Sequence, residues 1–179
     1  MAKRKRNPTR FWGVLGASAL ALTVVAAVVV QTRAPQVSTK PLTVAERKIS
    51  EELRVEQKQL EAVGARVAAA TPDGRRRVTE TIARQFNVPE KLVNDLRGRK
   101  IGYGELTVAM ALSQPLIKRD KVTQQQALDK VLGLRNSRHG WGVIARDLGL
   151  KLSDAVSAVK KTDKQLAKLD TGKTTKAAR

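Results

Sequence analysis

The chain has 179 residues, a formal charge of +19, no cysteine and a single histidine, which excludes a disulfide framework, a thiolate metal site and the usual multi-imidazole zinc or iron sets. Its aromatic residues are Phe11, Trp12, Phe86, Tyr103 and Trp141, so the core must come mainly from Leu, Val, Ile and Ala, which suits small helices better than a large β-sandwich. Beyond position 30 there are 30 basic and 16 acidic residues, a net of +14, and such a balance attracts nucleic acid, anionic lipid or acidic envelope polymers.

In chain order, residues 1–10 (MAKRKRNPTR) form a basic run and residues 11–30 (FWGVLGASALALTVVAAVVV) carry no charge. Twenty apolar residues in a helix span about 30 Å, the thickness of a bilayer's hydrocarbon core. The basic decapeptide predicts a cytoplasmic N-terminus, with Phe11 and Trp12 at the interface. An uncleaved anchor is favoured over a removed signal peptide, whose apolar stretch is normally about 7–15 residues. On either reading residues 31–179 are expected outside the cytoplasm: single-pass membrane-anchored, or secreted or periplasmic after cleavage.

Residues 31–42, with two prolines and small polar residues, read as a linker. Thr43 followed by Glu46 forms a capping box that opens a long amphipathic helix over 43–70, stopped by Thr71-Pro72-Asp73-Gly74. Leu53, Leu60 and Val67 recur every seven residues, but the alternate positions Ser50, Gln57 and Gly64 are not apolar, so half of a coiled-coil seam is missing. Packing on its own domain is the expectation, with a homodimer through 43–70 as the other use of the stripe.

A helical repeat domain is expected over 75–160. Arg75-Arg76-Arg77 opens a helix against its own dipole. Val78, Ile82 and Phe86 share one face of that helix, Phe86 and Val88 flank a turn at Asn87, and Pro89 suits the start of the next helix. Gly102-Tyr103-Gly104 starts a strongly apolar helix that Ser113-Gln114-Pro115 should end. Residues 116–122 then read as a charged connection, Thr123 caps a further helix, and Gly140-Trp141-Gly142 starts another that Gly149 closes. A final helix begins at Ser153-Asp154 and reaches about Leu169. Residues 161–179 are expected to be a basic, partly disordered tail, disordered over the last ten.

Internal repetition organises this region. Leu96-Arg97, Gly102, Tyr103 and Leu106 return as Leu134-Arg135, Gly140, Trp141 and Ile144 at one constant spacing, and Ile82-Ala83-Arg84 returns as Ile144-Ala145-Arg146. The segments from Val93 to Leu112 and from Val131 to Leu152 resemble uncharacterised secreted or membrane-anchored helical proteins of bacteria, which share the Leu-Arg, the Gly-aromatic-Gly helix start and an Ile-Ala-x-x-Leu-Gly-Leu ending. The resemblance implies a compartment and no activity. Residues 79–97 also resemble the helix-turn-helix of bacterial DNA-binding proteins. That resemblance implies base or phosphate contact by Lys91, Asn94 and Arg97, although Glu90 and Asp95 on the same helix would face phosphates.

No catalytic constellation is legible. Ser137, His139 and Asp147 form a triad by residue type only, and Thr171-Gly172-Lys173-Thr174 lacks the glycine at 167 that a phosphate loop needs. Tyr103 and Trp141 read either as core anchors, one per repeat, or as walls of a shallow groove edged by Arg99, Lys100, Arg138 and His139, fit for a sugar polymer, a nucleobase or a lipid head group. The expectation is therefore an all-α, non-enzymatic envelope protein without cofactor or metal, binding an anionic polymer or a protein partner. A membrane-tethered DNA-binding regulator is the alternative.

Overall fold

The computed structural model describes residues 40–174, which fold as seven α-helices without a strand among them: α1 (Val44–Ala70), α2 (Gly74–Phe86), α3 (Glu90–Gly98), α4 (Tyr103–Asp120), α5 (Gln124–Asn136), α6 (Trp141–Asp147) and α7 (Leu152–Thr174). The expected span over 11–30 lies outside the described residues, and no described helix is long and apolar enough to cross a membrane.

The spine is α1. Thr43 caps it, its Oγ1 accepting from the Glu46 N–H at 3.2 Å while its own N–H donates to Glu46 Oε2 at 2.7 Å. Those bonds from Thr43 hold the Glu46 carboxyl below the usual carboxylate range. The buried side of α1 carries Leu53, Leu60, Val63 and Val67, and it packs against α2, α4, α6 and α7. The apolar stripe is thus buried within its own domain.

α7 lies parallel to α1. Lys160 pairs with Glu52 at 2.7 Å, Gln59 Nε2 donates to Asp163 Oδ2 at 3.2 Å, and Arg66 Nε donates to Asp170 Oδ2 at 3.4 Å. Partners therefore advance together along both helices. The final helix expected to reach about Leu169 runs on to Thr174, so part of the last ten residues is helical rather than disordered, and Thr162, Asp163 and Leu166 are buried. The lysine-rich composition of this stretch hid a buried stripe, Ala155, Val159, Thr162 and Leu166, at helical spacing, with Thr162 Oγ1 donating to Ala158 O at 2.9 Å.

α4 crosses the middle of the bundle and is buried from Leu106 to Ser113. Its polar members are satisfied locally, Thr107 Oγ1 donating to Tyr103 O and Ser113 Oγ to Met110 O, each at 2.8 Å. Pro115 does not end it, contrary to the reading of Ser113-Gln114-Pro115 as a stop. The helix runs on to Asp120, and the connection shrinks to Lys121-Val122-Thr123, with Lys121 left-handed at φ 52°. An interior proline costs about 3 kcal/mol. The next turn, however, carries fully buried Leu116, and Gln114 Nε2 ties the helix to Phe86 O at 3.1 Å. Packing outweighs the local preference.

Candidate functional site

The two Gly-aromatic-Gly starts are the same structure built twice. After α3, Lys100 takes φ 63°, and after α5, Arg138 takes φ 64°. Gly102 and Gly140 are the helix caps, at φ −63°, ψ 157° and φ −70°, ψ 152°. Arg97 stacks on the Tyr103 ring, 4.0 Å from its centroid, and Arg135 on the Trp141 ring at 4.6 Å. Each arginine also binds the loop carbonyl before its glycine: Arg97 Nη1 donates to Ile101 O at 2.6 Å, and Arg135 Nη1 to His139 O at 3.1 Å. The third echo is equally real. Asn87 and Gly149 are both left-handed, and the following amides, of Val88 and Leu150, bond Ala83 O at 2.9 Å and Ala145 O at 2.7 Å.

Both starts dock on α1, one heptad apart, at the three positions that broke its seam. A Cβ added at Gly64 would lie 3.1 Å from the Tyr103 ring, and one at Gly104 would meet the Gln57 carbonyl oxygen. In the second copy the Trp141 Nε1–H donates to Gln57 Oε1 at 2.8 Å, and a Cβ at Gly142 would meet Ser50 Oγ. Gly64 and Gln57 in the first copy thus become Gln57 and Ser50 in the second, a step of about 10 Å along the axis. Tyr103 and Trp141 are 4% and 6% exposed; they anchor the core, as the sequence reading of one anchor per repeat anticipates.

Of the six residues expected to form one groove, Arg99, Lys100 and Arg138 are exposed, His139 is half-buried, and the two rings lie under Arg97 and Arg135. Trp141 does line a groove, of about 650 Å³, shared with Leu42, Arg47, Ser50, Arg54, Lys58 and Arg135, whereas Tyr103, Arg99, Lys100, Arg138 and His139 are not among its walls. The sequence reading missed the α1 side of this groove.

A second groove, of about 470 Å³, runs between α2 and α7, lined by Arg84, Lys161 and Lys168 with Thr81, Gln85, Gln165 and Leu169. No carboxylate lines it. Arg84 is paired with Glu80 on its own helix, and Thr81 Oγ1 donates to Arg77 O at 2.8 Å. These positions recur at helical spacing on α2 and α7, but which face of α7 meets α2 depends on a long-range pairing that spacing alone does not reveal.

The residues of the DNA-contact alternative lie on α3. Lys91 pairs with Asp95 at 2.7 Å, Asn94 Oδ1 accepts from the buried Thr79 Oγ1 at 3.1 Å, and Arg97 is held over Tyr103. The nominal triad is not assembled: Ser137 Oγ donates to Gly133 O at 3.2 Å, and Asp147 pairs with Arg146 at 3.3 Å. Glu105, in the first turn of α4, pairs with Arg135 at 2.8 Å. The chain matches no family model, no curated protein and no solved structure.

Proposed function

We propose that the chain is a non-enzymatic, membrane-anchored envelope protein whose helical domain binds an anionic polymer along the α2–α7 groove. The observation that carries the reading is the lining of that groove, with three cations, two amides and a hydroxyl and no carboxylate. Cations on packed helices attract a polyanion, while the Gln85 and Gln165 amides offer hydrogen bonds to its oxygens. The net +14 beyond residue 30 adds the long-range attraction, and the uncharged residues 11–30 behind a basic decapeptide supply the anchor.

The test has two parts. Fusion of the C-terminus to a reporter active only outside the cytoplasm, and to one active only inside, fixes the compartment; activity inside sinks the envelope reading. Titration of the purified full chain with polyphosphate should give binding that weakens steeply with salt. Lys161→Glu with Lys168→Glu should lower affinity at least about tenfold and flatten the salt slope. Unchanged affinity in that variant would remove the groove from the account.

The second reading, a tethered DNA-binding regulator, draws on the α2–turn–α3 geometry with left-handed Asn87 at its corner. Ala replacement of Asn94 and Arg97 should then relax sequence preference on duplex DNA, and an unaltered preference rejects it.

A further inference from the structure

The two copies differ at one place where the first is filled and the second is open. In the first, Glu61 of α1 puts its carboxylate over the helix start: a Cβ added at Gly102 would lie 2.6 Å from Glu61 Oε2, and the Gly104 N–H donates to that oxygen at 2.7 Å. In the second copy a Cβ added at Gly140 meets nothing within 4 Å. Because the copies dock one heptad apart, the counterpart of Glu61 is Arg54. A carboxylate has been exchanged for a guanidinium, and the space it filled belongs to the 650 Å³ groove.

We propose that this groove, between α1 and α6, binds a small amphipathic carboxylate, whose acid group is held by the guanidinium side chains that face the groove where the first copy carries Glu61. The binding groups are side chains. Arg47, Arg54, Lys58 and Arg135 line the groove against one acid, Glu51. Glu51 reaches Arg54 only at 3.6 Å with both side chains 63% exposed, an ion pair too weak to compete with a seated carboxylate. Arg135 is already oriented by Glu105 and by its stack on Trp141. Ser50 Oγ, which lines the same groove, is buried without a hydrogen-bond partner among the described residues. The indole of Trp141, fixed through Gln57, and Leu42 supply an apolar wall for the rest of the ligand. The volume lies in the range of small-molecule sites, about 300–1,000 Å³. This site is separate from the α2–α7 groove and does not depend on it.

The experiment uses the full chain carrying Trp12→Phe, so that Trp141 is the only indole, with 4-phenylbutanoate and 4-phenylbutanol as probes. The acid should perturb Trp141 fluorescence saturably, and the alcohol should bind at least about tenfold more weakly. Arg54→Gln should lose about tenfold in affinity for the acid. Arg54→Glu, which gives the second copy its own carboxylate, should abolish binding while leaving the thermal transition as high as in the parent or higher. Equal binding of acid and alcohol, binding of neither, or an Arg54→Glu variant that still takes the acid would each overturn the proposal. Lys161→Glu with Lys168→Glu should leave the fluorescence titration unchanged, which separates this site from the polyanion groove.

Discussion

Gly104 and Gly142 stand at equivalent positions yet are predicted to tolerate a methyl group differently. At Gly104 the added Cβ runs into the Gln57 backbone carbonyl, which cannot move without bending α1; at Gly142 it meets the Ser50 hydroxyl, which can rotate. Gly104→Ala should therefore cost about 2–3 kcal/mol in urea melts, with Gly142→Ala clearly milder and partly rescued by Ser50→Ala. Equal costs would mean that α1 gives way at both places. Asp163 is a second pressure point. It is 8% exposed, its Oδ1 has no partner among the described residues, and burial pushes its carboxyl up despite the Gln59 hydrogen bond and the charge of Arg66. A carboxyl whose folded-state pKa is raised contributes stability that is complete below the unfolded pKa and lost as pH rises through the raised value. Asp163→Asn should thus raise the melting temperature at pH 7, by roughly 2–4 °C, and leave it unchanged near pH 3. A gain of the same size at both pH values would show that the buried charge is not the cause. At this scale the glycines and aromatics were legible from their repetition, but their partners on α1 were not. Ser50, Gln57 and Gly64 showed only as a defect in a heptad, because sequence spacing reveals which positions are not apolar and not what fills them.

The element that recurs is a helix end, a left-handed residue, a glycine cap and an aromatic under an arginine. Its energetic core is the Arg97–Tyr103 and Arg135–Trp141 stacks together with the two loop carbonyl bonds. Arg97→Ala and Arg135→Ala should each cost about 1–2 kcal/mol, combining the lost stack and the lost charged hydrogen bond. Lysine at either position should rescue less than half, since an ammonium cannot lie flat on a ring and bond sideways at once. Full rescue would reduce the motif to simple charge. Repetition exposed these ends in the sequence because turn residues act locally, through φ and through missing side chains. The persistence of α4 through Pro115 was not legible for the opposite reason. It rests on Leu116 reaching the core, a contact decided by helices distant in the chain.

For the whole molecule the decisive pairing is α1 with α7, the first and last described helices. Removing residues 161–179 takes away Leu166 and the partners of Gln59 and Arg66. It should abolish the cooperative thermal transition rather than trim a tail. A truncated chain that melts like the parent would show that α7 is not needed beyond residue 160. An all-α class and the start of α1 at Thr43 were readable from composition, period and capping, all of them local properties. The parallel seating of α7 was not, since it depends on a long-range register that lysines masked. That seating has a mechanical consequence. With α1 and α7 parallel, the chain enters at one end of the pair and leaves at the other. A pull applied between the two termini therefore drives the helices past each other along their length. The lateral contacts share the load and must fail together, as in a lap joint, so resistance to stretching is governed by the unfolding barrier of the whole seam.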